Sequence, residues 1–191
     1  MLFGDEASFR QDPSLYQAWS RRGHQPLMAT TGQRNTQKIF GAVDLYRPRF
    51  YYAHGPVFEG DTYTMFLTAV AERYRKQEVF FIHDNAPYHT APEVQEWLSC
   101  YGHRFHLCPL PPYSPEHNAI EPVWHYVRMH ATHNRYHASE QEFISVLDRP
   151  CPLRANVSGL RYFVTLAKHH PDGNGNKSAI SRARGISAIR G

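Results

Sequence analysis

The stretch Val79-Phe80-Phe81-Ile82-His83-Asp84-Asn85-Ala86-Pro87-Tyr88-His89 decides how the rest of the chain is read. Four apolar residues run straight into an acidic one, and a turn-forming Asn-Ala-Pro follows. A short apolar run bounded by turn chemistry predicts a fully buried strand. Asp84 then stands where that strand leaves the core, on rigid backbone suited to carrying a catalytic or metal-binding group. The alternative is that Asp84-Asn85 only starts a turn, which both residue types do readily.

Working outward from that strand, the chain alternates strand and helix patterns. Leu2-Phe3-Gly4-Asp5-Glu6-Ala7-Ser8-Phe9 reads as a first strand ended or interrupted by an acidic pair. Lys38–Asp44 and Arg49–Ala53 read as a hairpin through Tyr46-Arg47-Pro48. Over Asp61–Lys76, Met65, Phe66, Ala69, Val70 and Tyr74 recur at helical spacing, with Lys and Arg gathered where the helix dipole favours them. Thr90-Ala91-Pro92-Glu93 has the form of a capping box opening a helix with Val94, Trp97, Leu98 and Tyr101 on its inner face and Gly102 at its end. Arg104–Cys108 is strand-like, and the stiff Pro109–Pro115 segment excludes both helix and central strand. A helix follows from about Asn118, with Ile120, Val123, Trp124, Val127 and Ala131 on one face. A further helix is predicted over Ser139–Leu147. Beyond Lys168 the pattern fades, and residues 169–191 read as a disordered basic Gly/Ser/Arg tail. The order predicts a mixed α/β sheet with helices packed on it.

The 191 residues allow one domain with a sizeable core, and 41% hydrophobic with 14% aromatic content excludes a disordered chain. Twenty-one Lys and Arg against 17 Asp and Glu give a net charge of +4, compatible with a polyanionic partner. No apolar run reaches transmembrane length and no signal peptide opens the chain, so a soluble, cytoplasmic protein is expected, with no membrane partner. The three cysteines form no disulfide pattern. Cys100-x2-His103-x2-His106-x-Cys108 matches no established zinc spacing, and Ser8 and Ser114 have no triad partners.

Three carboxylates remain: Asp5 on the first strand, Asp84 at the end of the buried one, and Glu121 at the edge of a buried helix face, leaning toward the strand ends. Three acids converging at low dielectric stay ionised together only around a cation, and hard oxygen donors select Mg2+ or Mn2+. Two such ions suit in-line phosphodiester cleavage. Glu121 also fits a capping box with Asn118 as N-cap, Glu6 reads as a solvated or supporting acid, and Asp44 is the rival third carboxylate. Arg21, Arg22, Lys38, Arg47, Arg49, Arg128 and Arg135 fit either phosphate contacts or a solvated surface.

Gly4-Asp5-Glu6, His83-Asp84-Asn85-Ala86-Pro87-Tyr88-His89 and Pro112-Tyr113-Ser114-Pro115-Glu116-His117-Asn118-Ala119-Ile120-Glu121 together resemble the three blocks of DDE transposases. The match is to the Tc/mariner superfamily in its bacterial IS-six-thirty-type branch. The 36 residues between Asp84 and Glu121 are similar to that branch's spacing. The resemblance also covers Trp19-x3-Gly23-x2-Pro26 and Ile39–Val43. It implies an RNase H-like mixed sheet of about five strands with helices on both faces, spanning residues 1–168. Asp5, Asp84 and Glu121 are then the catalytic, metal-holding residues for two Mg2+ or Mn2+ ions. Glu6, Asn85, His89, Arg21, Arg22, Lys38 and Arg128 become supporting or DNA-facing groups, and the Pro-rich block sets the approach of the Glu121 helix. The implied activity is cleavage of transposon-end DNA and its joining to TA-type targets, by a homodimer on double-stranded DNA near the bacterial nucleoid. Helix-turn-helix modules ahead of the first Asp are absent here, so a separately encoded N-terminal part is an expected partner. Two other readings stand beside it: an inactive DNA-binding or assembly relic of such an element, and an RNase H-like nuclease with another substrate.

Overall fold

In β2, spanning Thr36–Asp44, residues of alternate parity enter two different cores, and that division organises the molecule. A computed structural model describes residues 1–30, 32, 34–47, 49–112, 115–149 and 163–165. Phe40 and Ala42 join a cluster built with Leu2, Tyr51, Phe81 and the helices α1 (Gly60–Arg73) and α2 (Pro92–Tyr101). Ile39 and Val43 join a second cluster with Phe9, Phe50, Trp124 and Phe143, carried on its helical side by α3 (Glu121–Ala131) and α4 (Glu140–Leu147). The period-2 pleat thus sends neighbouring residues to opposite layers.

The sheet has the order β5-β4-β1-β2-β3-β6. β1 (Leu2–Arg10), β2 and β3 (Arg49–Gly55) form an antiparallel meander. β4 (Val79–His83) runs parallel to β1 on its other side, and β5 (Phe105–Pro109) parallel to β4. A three-residue β6, Phe163–Thr165, lies parallel to β3. The expected mixed sheet with helices on both faces is present, with this short strand added to the five expected.

Several local expectations are corrected. Asp5 lies inside a continuous nine-residue strand, paired with Gly41, and neither ends nor interrupts it. The β4 run is not buried on both faces, because Phe80 is 47% exposed and stacks on His106 at 4.9 Å. The second cluster draws no residue from β4 or β5, so the α3–α4 layer covers only the meander half of its face. The inner stripe of α1 is Tyr63, Phe66, Leu67, Val70 and Ala71, while Met65 points outward. Thr90 does not cap α2. It belongs to a short 3-10 turn, Pro87–Thr90, and its hydroxyl donates to Pro87 O at 3.1 Å, leaving Ala91 as the N-cap. α3 starts at Glu121 with Ile120 as N-cap, three residues later than expected. For α4 the cap does form, since Ser139 Oγ accepts from Glu142 N at 3.2 Å. The tail at 169–191, and Tyr113 and Ser114 of the Pro-rich block, lie outside the described residues.

Glycine is required where the α3 layer meets the sheet. A Cβ on Gly41 would stand 2.5 Å from the Trp124 ring and 3.0 Å from Ile120. Overpacking a closed core costs about 1–3 kcal/mol. Gly41→Ala is therefore expected to lower the unfolding free energy by that amount, seen as a lower denaturant midpoint, and an unchanged midpoint would show that Trp124 has room to retreat.

Candidate active site

Asp84 follows directly on β4 and serves as turn residue and exposed carboxylate at once. Its Oδ1 accepts from Ala86 N at 3.1 Å, which closes a local turn. The preceding carbonyl of His83 accepts from Leu110 N at 2.7 Å, and Asn85 Nδ2 donates to Leu110 O at 2.6 Å. The turn is thereby tied to the chain leaving β5. Its side chain remains 51% exposed, so one carboxylate on a rigid strand end faces solvent.

Asp5 approaches from β1 on the α3 face, and its Oδ2 accepts from Trp124 Nε1–H at 3.0 Å. Burial raises its carboxyl from the ordinary 3.8 to about 7; Glu6, Glu121 and Asp84 add to the rise, against a lowering hydrogen bond from the Glu6 backbone. Carboxylate oxygens of Asp5, Glu6 and Asp84 all lie within 4.8 Å of one another. Glu6 is thus part of the cluster rather than a solvated acid, and its side chain is only 9% exposed. The signal in the sequence was its adjacency to Asp5, outweighed by the rule that strand neighbours face opposite ways.

Glu121 occupies the first turn of α3 and is exposed, not seated at a buried edge. It lies outside the tight cluster yet is close enough for its charge to act on Asp5. The capping-box reading fails, because Asn118 turns inward: its Nδ2 donates to Gly4 O at 3.2 Å, and its Oδ1 accepts from Ile120 N at 3.4 Å. That bond fastens the start of α3 to β1 beside Asp5. Asp44 is remote in role, accepting from Tyr74 OH at 2.7 Å and from the Tyr46 and Arg47 amides of the hairpin.

Two histidines complete the surroundings. His83, kept neutral by burial and by the neighbouring His89, which together lower it to about 4, bonds through Nδ1 to the Asp84 carbonyl at 2.7 Å. His89 is 4% exposed. Burial works against its charge, but Glu6 and Asp84 prevail and raise it above the ordinary histidine value. Among the basic candidates, Arg21 and Arg22 lie on an exposed loop. Lys38 sits over the Phe58 ring and Arg128 over the Phe9 ring, at 5.1 and 5.6 Å. His106 of the dismissed zinc set pairs with Glu78 at 2.8 Å.

The cluster fits a hard divalent cation. Its donors are carboxylate oxygens, and Asp5 is pushed toward protonation first by burial and then by the acids around it, a cost that a cation would relieve. A pH prediction follows. The folded state holds the Asp5 proton up to about 7, whereas the unfolded chain releases it near 3.8. At this group the folded state binds more protons in that window, so the Asp5 contribution to ion-free stability falls as pH rises from about 4 to about 7, while His83, lowered to about 4, contributes with the opposite sign up to its ordinary 6.5. Thermal melts in chelator isolate the Asp5 part: wild type should lose stability relative to Asp5→Asn as pH rises through that window, by a few kcal/mol at most, and Mn2+ should offset the loss.

The model of the family described as DDE superfamily endonuclease matches residues 1–144. The insertion element IS630 uncharacterized 39 kDa protein of Shigella sonnei is 26% identical over 138 residues, 72% of this chain. Those residues span 39% of that relative's length. Among solved structures, the Mos1 transposase paired-end complex with left transposon end aligns over 77% of this chain and 46% of its own, with TM-score 0.54 and 21% identity. The Mos1 mariner paired end complex with Mn aligns over the same shares, with TM-score 0.54 and 22% identity. The catalytic domain of Mos1 mariner transposase aligns over 77% of this chain and 67% of its own, with TM-score 0.51 and 19% identity. At these identities the likeness is one of fold.

Proposed function

We propose, from the premise that this chain belongs to the DDE superfamily endonucleases, that residues 1–168 are the catalytic domain of an insertion-sequence transposase. Its reaction is divalent-ion-dependent cleavage of transposon-end DNA followed by joining to target DNA at TA-type sites. The observation that carries this reading is the oxygen cluster of Asp5, Glu6 and Asp84 at the end of β4, with Asp5 raised to about 7 by burial and converging charge.

Asp5, Asp84 and Glu121 would hold the metal, Mg2+ or Mn2+, as a pair of ions. Bound there, such ions supply Lewis-acid polarisation of a phosphoryl oxygen and a more acidic water. The chain's own groups do the remaining work. Trp124 holds Asp5 by its indole N–H, and Asn118 fixes the helix that presents Glu121. Glu121 stands on the exposed rim in the first turn of α3. Arg21, Arg22, Lys38 and Arg128 engage phosphates. The working assembly is a homodimer on double-stranded DNA in the bacterial cytoplasm, at the nucleoid, with the ends recognised by a separately encoded helix-turn-helix part. No helix among the described residues is long and apolar enough to cross a membrane.

The test is incubation of the chain with a duplex bearing the element's terminal sequence, in Mg2+, Mn2+ or chelator. Nicking and joined products are expected only with a divalent ion. Calorimetry showing no Mn2+ binding would overturn the reading in favour of an inactive relic. Preferential cutting of RNA or hybrid strands would redirect it to a nuclease of another substrate class.

A further inference from the structure

The β1–β4 ladder stops short of the site. Its parallel pairs are Leu2 with Phe81 and Phe3 with Ile82, so the ladder reaches neither Asp5 nor Asp84. Yet the carboxylates on these two strands must keep a fixed separation to take up an ion.

His89 bridges that gap. Its Nε2–H donates to Glu6 Oε1 at 3.2 Å, reaching β1. Its Nδ1 lies 3.0 Å from the Asp84 carbonyl and 3.4 Å from Asp84 Oδ1, reaching the end of β4. The ring has little freedom, because Tyr63, His83 and Tyr88 surround it with centroids 4.4, 4.5 and 4.6 Å away. Its side chain is 2% exposed, so water does not compete for either nitrogen. A ring locked by packing, with Nε2 on Glu6 and Nδ1 against both Asp84 and the Nδ1 of His83 at 2.9 Å, is an arrangement that preorganises oxygen ligands.

We infer that His89 is a positioning residue that sets divalent-ion affinity by locking Glu6 of β1 to Asp84 of β4 where the strand ladder ends. The inference rests on the metal-holding role proposed above. In this role the imidazole acts through the two acids. Glu6 acquires a definite task in this scheme: its carboxylate anchors the imidazole on the α1–α2 side, while Asp5 faces the opposite layer.

The test is Mn2+ titration of the whole chain by calorimetry, with unfolding midpoints measured separately in chelator. His89→Phe keeps the aromatic packing and removes both polar links. It is expected to weaken Mn2+ binding roughly 10- to 100-fold, the range for losing an orienting partner. His89→Gln retains one donor and should recover part of that affinity, which a purely structural role would not produce; it also serves if the Phe variant does not fold. Mn2+ affinity within twofold of wild type in folded His89→Phe, or in His89→Gln where the Phe variant does not fold, would overturn the inference. Asp84→Ala separates the two levels. If wild type binds Mn2+, Asp84→Ala does not, and His89→Phe binds normally, only the role of His89 falls. If wild type binds no Mn2+, the functional reading falls and this inference with it.

Discussion

Asp84→Ala is expected to abolish divalent-dependent DNA cleavage while leaving the fold in place. The carboxylate is half-exposed, and what it holds is a turn bond to Ala86 N and a 3.4 Å contact with His89 Nδ1, so its removal opens no cavity. The same group is one of three acids whose oxygens lie within 4.8 Å. Losing one donor of a small oxygen set removes several kcal/mol of charge stabilisation, or roughly a thousandfold in rate and more. The loss should appear in the chemical step, with phosphate-driven DNA binding largely retained because the basic side chains are untouched. Single-turnover cleavage of labelled duplex, beside binding measured by anisotropy, separates the two. Cleavage retained within tenfold would remove Asp84 from the site. A secondary effect has a definite sign: one negative charge fewer beside Asp5 moves its carboxyl back toward the ordinary value.

How much of this was legible beforehand differs between backbone and side chains. The hairpin of β2 and β3, the inner stripe of α3 and the placement of Asp84 all follow from local patterns that the packing does not contradict. The exposure of Phe80 was not legible, since an apolar run says nothing about where the opposite helical layer ends. The Thr90 capping box failed for a local reason: Pro87 starts a 3-10 turn that takes up the Thr90 hydroxyl first. Glu121 reads alike as cap or ligand from spacing, and the inward turn of Asn118 toward Gly4, which removes the cap reading, is a tertiary contact. Glu6 and His89 are 83 positions apart, and no periodicity links them. Their pairing depends on β1 and β4 being sheet neighbours, a tertiary fact. The resemblance of the three blocks to a known family named Asp5, Asp84 and Glu121 but gave no place to Glu6 within the oxygen cluster.

The second large effect is expected at Trp124, where fold and site share one side chain. The indole is 1% exposed, fills the space above Gly41, and meets Phe9 and Phe50 edge-on at 5.8 and 5.6 Å. Trp124→Ala should cost about 3–5 kcal/mol, a large share of the 5–15 kcal/mol that usually holds a domain together. Denaturant unfolding would show it as a lowered midpoint. Trp124→Phe separates packing from polarity. It retains most of the apolar contact but leaves Asp5 Oδ2 without its donor in a buried setting. The ionised form of Asp5 is then less favoured, so its carboxyl, already raised to about 7, moves higher. Mn2+ binding requires the carboxylate, so its pH midpoint should shift upward in the Phe variant even where stability is largely kept. An unshifted midpoint would show that the indole N–H does not support the charge on Asp5, and that Trp124 serves the core alone.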